Sequence, residues 1–188
     1  MRYWRAIAAG GSFFFSVNLA DRQSDLLVRH VDSLRNVMHT IKRALPFSIM
    51  AMVVLPDHLH ALWQMPPGDS GYPLRWSLIK SGFSRQMTKR EQVSASRAAK
   101  RERGIWQRRY WEHPIRDDDD LARHIDYIHY NPAKHGWVRD PWEWPHSSVH
   151  RYIARGELPV NWCKAPEEAL TVGERCCWAS CVSPTYED

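Results

Sequence analysis

Two short runs in this chain hold side chains that can do chemistry together. The first is His58-Leu59-His60. On a strand, alternation sends the two imidazoles to one face and Leu59 to the other, so both rings can share one metal ion while the leucine anchors the strand. A His-x-His pair occurs often by chance, and alone it reads as a structural pair. The second run is Asp126-Tyr127-Ile128-His129-Tyr130-Asn131-Pro132. On a helix, Tyr127 and Asn131 lie one turn apart and project on the same side. Asn131 then supplies a neutral oxygen as a third ligand and leaves coordination positions for a phosphate. A hard ion such as Mg²⁺ or Mn²⁺ accepts imidazoles when the substrate brings oxygens. Tyr127 would stand beside it as a nucleophile toward phosphorus. Without the histidine pair, Tyr127 reads as a half-buried helix aromatic.

These groups need a scaffold. Ser12 to Leu19 is aromatic and β-branched, follows Gly10-Gly11, and predicts a strand. From Ser24 to Leu45 apolar residues recur at steps of three and four, which predicts one long helix ended by Pro46. Phe47 to Leu55 and His58 to Met65 predict two strands joined at Pro56-Asp57 as a hairpin. Leu74 to Lys89 has a helical period, and the charged stretch Arg90 to Arg103 reads as an exposed helix extension or loop. Ile105 to Trp111 predicts a fourth strand. The acidic run Asp117 to Asp120 suits a helix N-terminus, because carboxylates favour the positive end of the helix dipole. That helix carries Tyr127 and ends near Pro132 or Gly136. The order β-α-β-β-α-β plus a helix predicts an α+β, ferredoxin-like sandwich with a central antiparallel sheet, helices on one face, and the tyrosine-bearing helix.

Composition sets bounds. The 188 residues suit one domain over residues 1–160, with a tail over 161–188 of unassigned role. A formal charge of +5 permits a polyanionic partner without requiring one. Ten tryptophans are many, and most are expected to fill the core. No apolar run approaches the roughly 20 residues that span a bilayer, and the N-terminus lacks a signal-peptide pattern, so a cytoplasmic protein is expected. The four cysteines, Cys163, Cys176, Cys177 and Cys181, lie late in the chain without a zinc spacing and read as reduced thiols. No phosphate-binding loop is present, so no nucleotide cofactor is expected.

Four ordered blocks resemble the REP-associated tyrosine transposases, a branch of the single-tyrosine HUH transposases. They are Gly10 to Leu19, Val53 to His60, Ile105 to His113, and His124 to Trp137, the last reading His-Ile-Asp-Tyr-Ile-His-Tyr-Asn-Pro-Ala-Lys-His-Gly-Trp. The resemblance runs from about Gly10 to about Arg155. Ala133 stands where the family usually has Val, and Ser12 where it often has Thr. The resemblance implies that His58 and His60 are the HUH pair, Asn131 the assisting ligand and Tyr127 the nucleophile. It further implies Mg²⁺ or Mn²⁺, cleavage of single-stranded DNA beside a REP-type hairpin, a 5′-phosphotyrosine, and a chain favoured as a monomer, with a dimer as the alternative. Candidate DNA contacts are Arg108 and Arg109 for phosphates and Trp106 for stacking. Gly10, Gly11, Ser12 and Phe13 are candidates for reading flanking bases.

Three other readings remain open at this level. One is a non-catalytic, domesticated binder of hairpin DNA, against which stand the intact histidines and tyrosine. A second is a water-using phosphoesterase. It would want extra carboxylates, and alternation and helical phase turn Asp57 and Asp126 away from the site. A third is an interaction domain with coincidental motifs, against which stand the four ordered blocks.

Overall fold

The computed structural model describes residues 10–88 and 103–163, with Ser96 and Ala99 between them. Strands β1 (Ser12–Asn18), β2 (Ser48–Val54), β3 (His58–Gln64) and β4 (Trp111–Pro114) form one sheet in the order β2-β3-β1-β4. Every neighbouring pair is antiparallel. Helices α1 (Leu26–Arg29) and α2 (Val31–Ala44) link β1 to β2, and α3 (Tyr72–Gln86) links β3 to β4. Each link steps over one strand, which is the ferredoxin-like α+β arrangement. Helix α4 (Asp118–Lys134) and the short α5 (Val149–Ala154) follow.

The sheet is apolar on both faces, so it builds two cores. Phe13, Phe15, Val17, Leu59, Ala61 and Trp63 point one way and pack with Leu34 of α2 and Trp76, Ile79 and Phe83 of α3. Trp63 and Trp76 stack with centroids 4.2 Å apart. Phe14, Ala51, Val53 and Leu62 point the other way, where Tyr127 and Ile128 of α4 cover them. The period of two thus sorts a run of three phenylalanines between two helical layers.

Several boundaries differ from the sequence expectation. The predicted helix over Ser24 to Leu45 is broken at His30, whose φ of −118° and ψ of 33° lie outside the helical basin. The Leu27 amide donates to the Pro56 carbonyl at 3.1 Å, tying α1 to the β2–β3 turn. Helix α3 starts two residues early, at Tyr72, with Pro73 in its first turn, where a missing N–H costs nothing. The stretch Ile105 to Trp111 is not the fourth strand. Only Trp106 makes an isolated bridge there, to Leu19, and continuous pairing begins at Trp111. The physical reason is that Ile105 and Trp106 turn into the helical layer. The Trp106 indole donates to the Lys80 carbonyl at 3.1 Å and packs edge-on to Phe83. Most of the Arg90–Arg103 stretch lies outside the described residues. Arg103 itself donates to the Ser84, Met87 and Thr88 carbonyls at the end of α3. The tail from 164 onward, with Cys176, Cys177 and Cys181, also lies outside them, while Cys163 is exposed and free. Among the described residues no helix is long and apolar enough to cross a membrane.

Behind α4 the chain returns to the edge of the sheet. The Ser148 amide donates to the Met52 carbonyl at 2.8 Å and the Val54 amide to the His146 carbonyl at 2.9 Å, which blunts the β2 edge. His129 joins this segment to α4, with Nε2 2.9 Å from the Ser148 hydroxyl and its ring edge-on to Tyr152. Burial, reinforced by the Arg151 and His150 charges, lowers its pKa to about 4. A lowered histidine pKa means that the unfolded chain binds the proton more readily. The contribution of His129 is therefore full above its ordinary pKa of about 6.5 and is lost as pH falls toward 4. The expected outcome is a melting temperature that declines between pH 6.5 and 4. The variant His129→Gln should lose about one proton of that slope, read from melting curves across pH.

Candidate active site

Strand β3 delivers both histidines to the α4 side. His58 pairs in register with Asn18, and His60 with Ser16 and Val53. The two imidazole centroids are 5.0 Å apart, and both residues are buried, His60 completely. The acidic first turn forms the α4 N-terminus, with the Asp117 carboxylate accepting from the Asp120 amide at 2.7 Å. The helix then runs through Pro132 and ends ahead of Gly136, whose φ of 69° stops it. This register brings Tyr127 edge-on to His60, with centroids 5.3 Å apart. One turn on is Asn131, and His135 follows after another, its ring 5.1 Å from that of His58. The three predicted ligands and the tyrosine thus gather between β3 and one stripe of α4.

The side chains of this group are ones that could hold a cation. Asn131 is fully buried, and neither its Oδ1 nor its Nδ2 has a hydrogen-bond partner. A buried amide without a partner costs about 1–3 kcal/mol, so it calls for a ligand. His60 is held well below its ordinary pKa by burial and then by His58, His135, Lys134 and Arg22, so its ring is neutral and able to coordinate at neutral pH. Two imidazoles and one amide oxygen on a single face fit a divalent ion with positions open to substrate oxygens.

Three residues that the sequence reading passed over complete the site. Asp57 does not turn away as alternation suggested. It lies in the turn before β3, where the period of two does not yet hold, and its Oδ1 accepts from His58 Nδ1 at 2.7 Å. Arg22 holds the other carboxylate oxygen at 2.9 Å. Burial raises the Asp57 pKa, but the His58 hydrogen bond and the His58 and Arg22 charges outweigh it and keep the carboxylate ionised. A carboxylate on Nδ1 orients His58 and presents Nε2. Phe14 is the hub of the aromatic packing, 5.4 Å from His60, 5.9 Å from Tyr127 and 4.8 Å from His124. His135 is the third. Its only signal in the sequence is its place four residues after Asn131, one further turn along the stripe that begins at Tyr127.

A second polar group pins the start of α4. His113 of β4 donates to the Asp120 carboxylate at 2.8 Å, and the Arg116 amide donates to the same oxygen at 3.1 Å. His124 donates to the Asp120 carbonyl at 2.7 Å, and its ring stacks on His113. Candidate ligand atoms of His113, Asp120 and His124 lie within 4.8 Å of one another. The Arg116 and Arg123 guanidiniums also face Asp120, at 3.3 and 3.8 Å, and their charge disfavours a cation there. The group is a clamp between β4 and α4.

The expected DNA contacts divide. Arg108 and Arg109 are exposed, and Arg108 donates to the Ser96 carbonyl at 3.2 Å. Trp106 and Phe13 are buried in the helical-layer core, so the structure gives both a packing role in place of base contact. Gly10 has φ 86°, and a Cβ there would come within 2.7 Å of Pro67, so its need for glycine arises inside the protein. Gly11 accepts from the Met65 amide at 3.0 Å, and the Ser12 hydroxyl donates to Gln64 Oε1 at 2.6 Å.

Burial raises the Asp120 pKa, but the His113 hydrogen bond and the Arg116 amide dominate and lower it to about 2. Its stabilising contribution is complete above its ordinary value of 3.8 and is lost as pH falls toward 2. Asp120→Asn should cost roughly 1–3 kcal/mol in denaturant unfolding at neutral pH, and its acid unfolding should be flatter than that of the parent below pH 3.8.

Comparison with known proteins identifies the family. Residues 17–131 match the family described as "Transposase IS200 like". A REP-associated tyrosine transposase of Escherichia coli K12 is 42% identical over 173 residues, 92% of this chain and 96% of that protein. A Haemophilus influenzae relative is 42% identical over 166 residues, 88% of this chain and 94% of its own. A solved structure of a REP-associated tyrosine transposase bound to a REP hairpin has 40% identity and a TM-score of 0.77, covering 89% of this chain and 94% of that one. The chain therefore belongs to the REP-associated tyrosine transposases of the IS200-like family, enzymes that cleave and rejoin DNA.

Proposed function

We propose that this transposase cuts and rejoins single-stranded DNA beside a REP-type hairpin, with Tyr127 as nucleophile and a 5′-phosphotyrosine as intermediate. The observation that carries the reading is Tyr127 edge-on to His60, 5.3 Å away, beside the unpartnered Asn131 amide. His58, His60 and Asn131 would hold Mg²⁺ or Mn²⁺, which when bound neutralises charge on the scissile phosphate. Asp57 keeps His58 in the orientation and tautomer that expose Nε2. The Tyr127 oxygen bonds to phosphorus, the bond to O3′ breaks, and a free 3′-OH remains. The phenolic proton leaves to solvent and O3′ departs with a proton. The phosphotyrosine conserves the bond, so the 3′-OH of the same or another strand can attack it, and no nucleotide cofactor is consumed.

One chain supplies both the histidine pair and the tyrosine, which supports a monomer as the working unit. The hairpin-bound relative supports a stem-loop as the positioning element. Arg108 and Arg109, both exposed, are the proposed phosphate contacts, and Gly11 and Ser12 at the start of β1 are proposed to lie near the flanking bases. A DNA substrate supports the cytoplasm as the place of action.

A labelled single strand with a REP-type stem-loop, incubated with Mn²⁺, tests the reading. A covalent adduct is expected for the parent and none for Tyr127→Phe, with DNA affinity retained. The same sequence annealed to its full complement should not be cut, because a regular duplex denies the nucleophile in-line approach. Equal cutting of that duplex would replace this mechanism with a water-using nuclease. Asp57→Asn should fold normally and weaken Mn²⁺ binding roughly 10–100-fold by calorimetry.

A further inference from the structure

Lys134 is the last residue of α4 and stands seven positions after Tyr127. Seven residues are close to two turns of about 3.6, so both positions fall on nearly the same line of the helix. A helical lysine leans toward the N-terminus, back over the preceding turns. Here its Nζ donates to the Tyr127 hydroxyl oxygen at 3.2 Å and lies 4.7 Å from the centre of the phenol ring. Tyr127 is 3% exposed, whereas Lys134 is exposed, so the ammonium approaches the phenolic oxygen from the solvent side. A lysine near a helix C-terminus has a simpler explanation in the helix dipole, but the dipole does not require contact with one particular oxygen.

An ammonium carries three donors and no acceptor, so the phenol oxygen must accept this bond. That oxygen is the atom that gains and loses charge in the transesterification. We propose that Lys134 is a catalytic residue that stabilises negative charge on the Tyr127 oxygen, both as it attacks and as it leaves. This rests on the assignment of Tyr127 as nucleophile. In cleavage the Oη–P bond forms while P–O3′ breaks, with the phenolic proton passing to water and O3′ taking one from water. In rejoining the 3′ oxygen bonds to phosphorus and loses its proton to water. The Oη–P bond breaks, and the tyrosine leaves as a phenolate against the ammonium before water reprotonates it. Lys134 keeps its own proton throughout. Its contribution is a fixed charge where charge develops, the same device as an oxyanion donor.

The test compares the parent with Lys134→Met and Lys134→Arg, each also prepared with 3,5-difluorotyrosine at position 127, whose phenolate is intrinsically more stable. Single-turnover adduct formation is followed at saturating hairpin-flanked strand with Mn²⁺, beside separate measurements of DNA affinity and melting temperature. Lys134→Met should slow adduct formation by about 10²-fold with unchanged DNA affinity and melting temperature. Lys134→Arg should retain most of the rate. Difluorotyrosine should restore far more rate to Lys134→Met than it adds to the parent. An unchanged rate in Lys134→Met overturns the proposal. So does slowing that the fluorinated residue does not relieve: with weakened DNA binding it makes Lys134 a phosphate contact, and without it a structural residue. An adduct that persists in Tyr127→Phe instead overturns the underlying choice of nucleophile, a result separable from all of these.

Discussion

The docking of α4 across the histidine-bearing face of β3 is the contact on which the rest of the site depends. A strand presents alternate residues to opposite sides, so His58 and His60 reach this face only because Leu59, Ala61 and Trp63 are committed to the other. The face they reach would be wet and open without a cover. Tyr127 and Ile128 supply that cover, packing on Phe14, Val53 and Leu62. Apolar burial therefore seats the helix, and its period of about 3.6 residues aligns Tyr127, Asn131 and His135 over the histidine pair.

Two polar devices set the position of that helix more finely than apolar contact can. At its start, the Asp120 carboxylate gathers His113, Arg116 and His124, while Asp117 caps the first turn. At its far side, His129 engages Ser148 of the segment that closes the β2 edge. The helix is thus tied to the sheet at its start through β4 and in its second half through β2. Phe14 transmits the alignment, since a single ring touches His124, Tyr127 and His60. Neutral His60 follows from this burial, while Asp57 stays ionised against its own burial through His58 and Arg22.

Much of this could be read in the sequence where a strict period applies. The alternation of β1 to β3, the hairpin at Pro56-Asp57, and the one-turn spacing of Tyr127 and Asn131 all translate directly into the fold. What escaped lies where no period holds or where a break leaves the period intact. Asp57 precedes its strand, so its carboxylate is free to fold back onto His58. Ile105 to Trp111 mixes aromatic and basic residues as an edge strand can, yet the large Trp106 ring finds α3 and draws the segment out of the sheet until Trp111. The break at His30 leaves no mark in an otherwise continuous apolar stripe. Gly10 is a candidate for reading flanking bases in the sequence, but the backbone it makes room for is the protein's own turn at Pro66 to Gly68.

The electrostatic setting ties these elements to the reaction. The positive charges of Arg22 and Lys134 act on His60 and suit an anionic phosphate. The candidate metal ligands bring no negative charge, and the Asp57 carboxylate is spent on orienting His58. Under the proposed mechanism the attacking group is accordingly the protein's own oxygen and not a carboxylate-activated water. The most direct test is to trap the covalent complex with a hairpin-flanked strand and Mn²⁺, digest it, and locate the nucleotide-bearing residue by mass spectrometry. The account predicts the modification on Tyr127 alone. Modification of Tyr130, or complete cleavage with no nucleotide-bearing peptide, would contradict it.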